Sequence, residues 1–145
     1  MNLQEMAEKY GPKVYVLSGW APDEEFQVKL RRPTIYNMAA MGYIPNPIMG
    51  AVQTMFSGNS QKIDAIDARK QGEAVVAMAK FAMLEPTYQE VIDAGLMLTD
   101  DQLIEIYTFA LGGAPALAAF RGLNGGRAGN AGVDVSDKAE RGDAD

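Results

Sequence analysis

A chain of 145 residues with a formal net charge of −6 has one domain's length and a field that repels phosphate backbones and anionic membrane surfaces. It contains no cysteine and no histidine, which removes disulfides, thiolate nucleophiles, the usual zinc ligand sets and the one side chain whose ordinary pKa suits proton transfer near neutrality. Catalysis would fall to carboxylates, Lys, Tyr or Ser alone, so a non-enzyme without metal or cofactor is expected.

In chain order, Asn2 with Glu5 three residues on reads as a helix cap, and Gly11 with Pro12 as its end. Lys13–Leu17 is rich in β-formers. Phe26, Val28 and Leu30 alternate with Gln27, Lys29 and Arg31, so a β-hairpin is predicted across the polar turn Ser18–Glu24. After Pro33, Thr34 caps a helix over Ile35–Met41 that Gly42 closes. Asn46–Pro47 reads as a cap followed by a first-turn proline, opening a helix whose apolar face is Ile48, Val52, Met55 and Phe56. Ser60–Glu85 is predicted as the longest helix, with Gly72 its weak point. Thr87 with Glu90 forms a capping box for a helix through Ala94, closed by Gly95.

The clearest helix follows. Thr99 is its cap, Gln102 the reciprocal partner, Leu98 and Leu103 the staple, and Asp100 and Asp101 lie where carboxylates favour the helix dipole. Leu103, Ile106, Tyr107, Ala110 and Leu111 are predicted as its buried stripe, Gly112 and Gly113 as its stop, and Pro115–Arg121 as a further helix. Beyond Gly122 glycine and charge dominate. The expected fold is therefore mainly α: a compact multi-helix domain with a small N-terminal β-hairpin over residues 1–121, and a disordered C-terminal tail over 122–145. The uncharged apolar runs fall short of the ~18 residues of a membrane span, and the N-terminus lacks a basic, apolar signal core, so no membrane is expected as a partner.

The candidate chemistry is sparse. Asp64 and Asp67, at i and i+3, would reach a divalent cation from one helix face, but nothing nearby completes a ligand set and a solvated face explains them better. The glycines of Gly122–Gly132 lack the strand before and the Lys-Ser/Thr after that a phosphate loop needs. Lys29 and Arg31, with Arg32, form a small basic cluster able to dock an acidic partner. Trp20 in the hairpin turn is an anchor candidate, and Met49 and Met55, on a short helix between glycines, are the candidate exposed pair of a Met-rich adaptable surface.

Two runs carry a resemblance: EEFQVKLRRPTIYNMA (Glu24–Ala39) and EPTYQEVIDAGLMLTDDQLIEIYTFALGGAPALAAFR (Glu85–Arg121). Over Lys13–Arg121 the chain resembles the tail assembly chaperones of long-tailed bacteriophages and related prophages. The resemblance lies in the order and spacing of an Arg-Arg-Pro strand end and helix cap, an acidic EPTY corner and an LTDDQL helix ending in a double glycine. It implies a small helical protein of the host bacterial cytoplasm that coats the tape-measure protein, helps recruit the tail-tube protein and is absent from the virion. A further implied partner is a longer frameshifted form of the chain; independently of the resemblance, other copies of the chain stay open as partners and the acidic charge predicts no nucleic acid. No site residue carries over, because the family has no fixed binding motif. The competing expectations are a structural tail or connector protein retained in the particle and a small enzyme using carboxylates.

Overall fold

The structure is a computed structural model that describes residues 1–129, with side chains through Gly122. Its backbone is 61% helical, with seven helices and a small three-stranded antiparallel sheet among the described residues.

Helix α1 (Leu3–Tyr10) opens on the predicted capping box: Asn2 Oδ1 accepts from Glu5 N at 2.8 Å, and Asn2 N donates to Glu5 Oε1 at 2.9 Å. None of its residues is buried. Strands β1 (Lys13–Ser18) and β2 (Glu25–Leu30) form the predicted hairpin, paired from Lys13↔Leu30 to Ser18↔Glu25. Period two sends Leu17, Val28 and Leu30 to the covered face. Burying each contributes about 1.5–3 kcal/mol. That term holds a hairpin which would be marginal by itself.

Helix α2 (Ile35–Ala40) starts at Thr34, whose Oγ1 accepts from Asn37 N, and ends before Gly42 at φ 79°. A single 3-10 turn (Asn46–Ile48) leads into α3 (Met49–Ser57), which Gly58 closes at φ 71°. Asn46 makes no capping bond here, contrary to the expectation; Pro47 instead sits in the first turn, where its missing N–H costs nothing.

The long helix expected over Ser60–Glu85 is three elements: α4 (Ser60–Asp64), α5 (Ala68–Ala82) and β3 (Met83–Glu85). The break falls before Asp67, not at Gly72. Asp67 Oδ1 accepts from Lys70 N at 2.9 Å and so caps α5, while Gln71 Nε2 donates to the carbonyls of Ile63 and Ile66 at the end of α4. At the other end β3 adds to β2 through Lys29↔Glu85 and Leu30↔Met83, completing the order β1-β2-β3.

Helix α6 (Tyr88–Asp93) carries the predicted Thr87–Glu90 capping box, and Gly95 follows at φ 90°. Helix α7 (Asp100–Gly129) begins with Gln102 N donating to Thr99 Oγ1 at 3.1 Å and Thr99 N to Gln102 Oε1 at 2.9 Å, as predicted. Gly113, at φ 72° and ψ −159°, breaks it into two helical segments at the predicted double glycine. The expected tail begins at the end of this element, whose backbone is described to Gly129; the rest of it, 130–145, lies outside the described residues.

Helices α5 and α7 pack side by side and serve two cores. Toward the sheet, Leu17, Val28, Leu30, Ala82, Ile106 and Phe109 form one cluster. On the other side Met38, Val52, Met55, Met78, Phe81 and Ala110 form the second, with α2 and α3. Alanines at 74, 77, 79 and 82 keep α5 slim enough to be shared between them. By length and composition Asp100–Gly122 is apolar enough to cross a membrane, which the run of uncharged residues did not suggest. It is broken at Gly113, and its inward side chains lie in these two clusters.

Candidate functional site

The residues singled out in the sequence divide among three places and do not form one site. Trp20 folds back onto the hairpin: its Nε1 donates to the carbonyl of Met97 at 2.7 Å and its ring meets Phe26 edge-on at 4.9 Å, leaving the side chain half-exposed. Lys29 reaches across the sheet to Glu85, 3.7 Å away. Arg31 is not the solvated strand residue that alternation predicts. The register shifts between Lys29 and Leu30, and the Arg31 guanidinium lies 3.9 Å from the centre of the Phe81 ring, with Nε donating to the Phe81 carbonyl at 2.8 Å. Met49 is half-buried against the α2–α3 core. Met55 is 3% exposed, so the expected exposed pair does not exist. The reason is the helical register: Val52 and Met55 share the face of α3 that the second core covers.

Asp64 and Asp67 do not share a helix face either; one ends α4 and the other caps α5. Among the described residues no three His, Cys, Asp or Glu side chains gather as a metal site.

Two polar arrangements went unread in the sequence. The first is a closed network under the turn end of the hairpin. Glu105, 1% exposed, accepts from Ser18 N at 2.9 Å and from Ser18 Oγ at 2.7 Å; Arg121 Nη1 donates to Ser18 Oγ at 2.9 Å and lies 3.3 Å from Glu105 Oε2. Gln102, fully buried, donates to the Ser18 carbonyl at 2.8 Å. Every member has a partner, so the buried charge is held rather than offered to a ligand. The second is Arg32, whose Nε and Nη2 donate to the carbonyls of Ala110 and Leu111 and cap the first segment of α7 where Gly113 ends it. The signal for the network was present: Gln102, Glu105, Ile106 and Phe109 share the i, i+3, i+4, i+7 spacing of a buried stripe. Leu111, assigned to that stripe, is exposed instead.

The concave surface lies elsewhere. A groove of ≈ 1080 Å³ runs between the Gly42–Ile48 connection and the outer face of α5. Pro45, Pro47 and Ile48 line one wall; Ala68, Gly72 and Val76, one helical turn apart, line the other. Gly72 is exposed, and a Cβ built there meets nothing within 4 Å. A glycine in a helix interior costs about 1 kcal/mol relative to Ala, and no contact within the chain requires it. Lys70 and Lys80 stand on the rim with the exposed Arg69–Glu73 pair. The arrangement can receive an apolar ridge and let another backbone approach α5 closely; it places no nucleophile beside a base.

Compared with protein-family models, curated proteins and solved structures, the chain finds no match.

Proposed function

We propose that this chain is a phage tail assembly chaperone: a binding protein, without turnover, that holds the tape-measure protein soluble in the host cytoplasm, helps recruit tail-tube subunits and then leaves. The resemblance of Glu24–Ala39 and Glu85–Arg121 to such chaperones supports this assignment. The observation that carries the physical case is the groove along α5. A tape-measure protein is a long helical chain whose apolar stripes aggregate when bare. An apolar groove with a flat wall at Ala68, Gly72 and Val76 suits one turn after another of such a helix. Displacement at the end of assembly favours many modest contacts, which a shallow wall of small side chains provides better than deep anchor pockets do.

The test is co-expression with a tape-measure protein, measuring how much of it stays in the supernatant and whether a complex survives gel filtration. Gly72→Glu fills the groove without disturbing the fold, since the new side chain enters open space and glutamate is the better helix former. The soluble yield should rise with the native chain and fall back with Gly72→Glu. Equal yields with and without the native chain sink the proposal; recovery of the chain in purified particles replaces it with a structural tail or connector role.

A further inference from the structure

We infer that the end of the molecule formed by the hairpin turn and the connection into α7 is a second docking surface, and that its occupant is a segment of another protein carrying apolar side chains among lysines or arginines. The inference is independent of the function proposed above, since Trp20, Leu96 and Met97, which carry it, do not line the α5 groove.

Two segments far apart in the chain meet here. The turn 19–24 is closed by Gly19 N donating to the Glu24 carbonyl at 2.9 Å and Glu24 N to the Ala21 carbonyl at 3.1 Å. A Cβ at position 19 would stand 2.7 Å from that Glu24 carbonyl, so only glycine lets the turn close this tightly. From the turn Trp20 reaches the connection before α7, where the Met97 carbonyl fixes its Nε1 and Phe26 supports its ring. An aromatic side chain held in place before anything binds has little freedom left to lose on binding.

The surface beside the ring is apolar. Trp20, Leu96 and Met97 are exposed by 38%, 42% and 77%. Leu98 packs against the sheet-side core and secures the connection, so the fold itself does not call for large apolar side chains at 96 and 97. Exposed apolar residues scattered singly need no explanation, but two from one segment standing beside a tryptophan from another make a patch.

Charge says what covers it. Residues 18–27 and 94–104 contain five carboxylates, Asp23, Glu24, Glu25, Asp100 and Asp101, and no lysine or arginine, against a net charge of −6 for the whole chain. All five are exposed, and among the described residues none forms an ion pair. Asp23 and Glu24 lie three and four residues from Trp20, and Asp100 and Asp101 three and four from Met97. Chain length alone therefore keeps each within about 14 Å of the patch. Arg121, which reaches this end from the second segment of α7, is taken up by Glu105 and Ser18. A partner that covered Trp20 and Met97 without cations would draw carboxylates out of water unpaired, which is costly. A phosphate backbone or an anionic bilayer would be repelled. A protein segment with basic residues beside its apolar ones is attracted before contact and pairs the carboxylates on arrival.

Trp20 is the only tryptophan in the chain, so its emission reports on this surface. The probe is a short amphipathic peptide of leucine and lysine, titrated into the full chain beside a counterpart in which glutamate replaces lysine. The lysine peptide should shift the emission to the blue saturably, and the glutamate peptide should not. Met97→Ser removes an exposed side chain but keeps the carbonyl that holds Trp20, and should raise the dissociation constant at least about fivefold. Asp23→Asn with Asp100→Asn should raise it similarly and flatten its dependence on salt. Gly72→Glu, which fills the α5 groove, should leave it unchanged, so this surface and the groove are tested separately. Circular dichroism verifies that each variant is folded. No saturable shift, an equal shift with the glutamate peptide, or indifference to Met97→Ser overturns the inference. So does an equal weakening by Glu8→Gln with Asp64→Asn, two exposed carboxylates elsewhere, because net charge alone would then explain the binding. The same shift on adding phosphatidylcholine vesicles, or on concentrating the chain alone, overturns it in favour of a lipid surface or a second copy.

Discussion

Arg121 and Glu105 meet at 3.3 Å from opposite sides of the Gly113 break, so the second segment of α7 is turned back over the first and tied to it through the end of β1. Glu105 is almost fully buried and Arg121 about three-quarters so. Removing one partner strands a charge among apolar neighbours, which costs far more than the pair contributes. Arg121→Met is therefore expected to lose about 3 kcal/mol in urea denaturation. Arg121→Lys keeps the charge but not the planar reach to both Ser18 Oγ and Glu105, and should fall between the two. An unchanged midpoint for Arg121→Met would show the tie to be dispensable.

The cap of α7 separates into two contributions. Thr99→Ala removes the acceptor for Gln102 N and is expected to cost about 1 kcal/mol. Gln102→Ala loses the reciprocal bond and the donor to the Ser18 carbonyl as well, leaving a buried acceptor unmatched, and should cost about 2 kcal/mol. Equal losses from the two variants would place the energy in the cap alone.

Alkaline pH should expose Tyr107. Its hydroxyl donates to the Met55 carbonyl at 2.8 Å, and burial holds its pKa above the ordinary tyrosine value of 10.0. With the folded pKa raised, the contribution is fully present below the unfolded pKa and is lost as pH climbs through the folded one, because the unfolded chain sheds the proton first. Stability measured by denaturant between neutral pH and the alkaline limb should fall less steeply in Tyr107→Phe than in the native chain. At neutral pH the same variant should be weaker by about 1 kcal/mol, the worth of the lost bond.

Charge placed on α3 discriminates its two methionines. Met55→Asp puts a carboxylate into the second core and is expected to prevent folding or to cost more than about 3 kcal/mol. Met49→Asp, at the half-buried edge of the same core, should cost distinctly less. Comparable melting temperatures for the pair would contradict the register of α3.

Local signals in the chain foretold local structure. Asn2, Thr34, Thr87 and Thr99 cap where they were expected to, and Gly42, Gly58, Gly95 and Gly113 take positive φ at element ends. These features depend on a few neighbouring residues, and so can be read from them. Two local signals misled, since Asn46 caps nothing and Asp67, which caps α5 through Lys70 N, reads in the sequence as the interior of one long helix. The rest of what escaped was long-range. Met83–Glu85 continues a helical apolar pattern, yet becomes a strand because β2 offers an edge fifty-odd residues away in the chain. Arg31 follows the outward parity of Lys29 until a register shift, visible only in the paired sheet, turns it onto Phe81. Glu105 was passed over because a carboxylate on a helix is ordinarily solvent-facing; its partners Ser18 and Arg121 stand 87 and 16 residues off. The α5 groove is likewise made by two separate segments, and only Gly72 hinted at it.

The tie between Ser18 and Arg121 spans 103 residues, and it sets an order of events during synthesis. At the ~5–20 residues per second of translation, the hairpin leaves the ribosome roughly 5–20 s before the arginine that will close it. In the first part of that interval, before Ala82 and Glu85 are made, Leu17, Val28 and Leu30 lack α5 and the β3 edge position beside β2 is vacant, and α7 follows only after them. A nascent chain of this protein is thus sticky at its hairpin until α7 is made, and its own yield in the cell depends on how quickly that helix emerges.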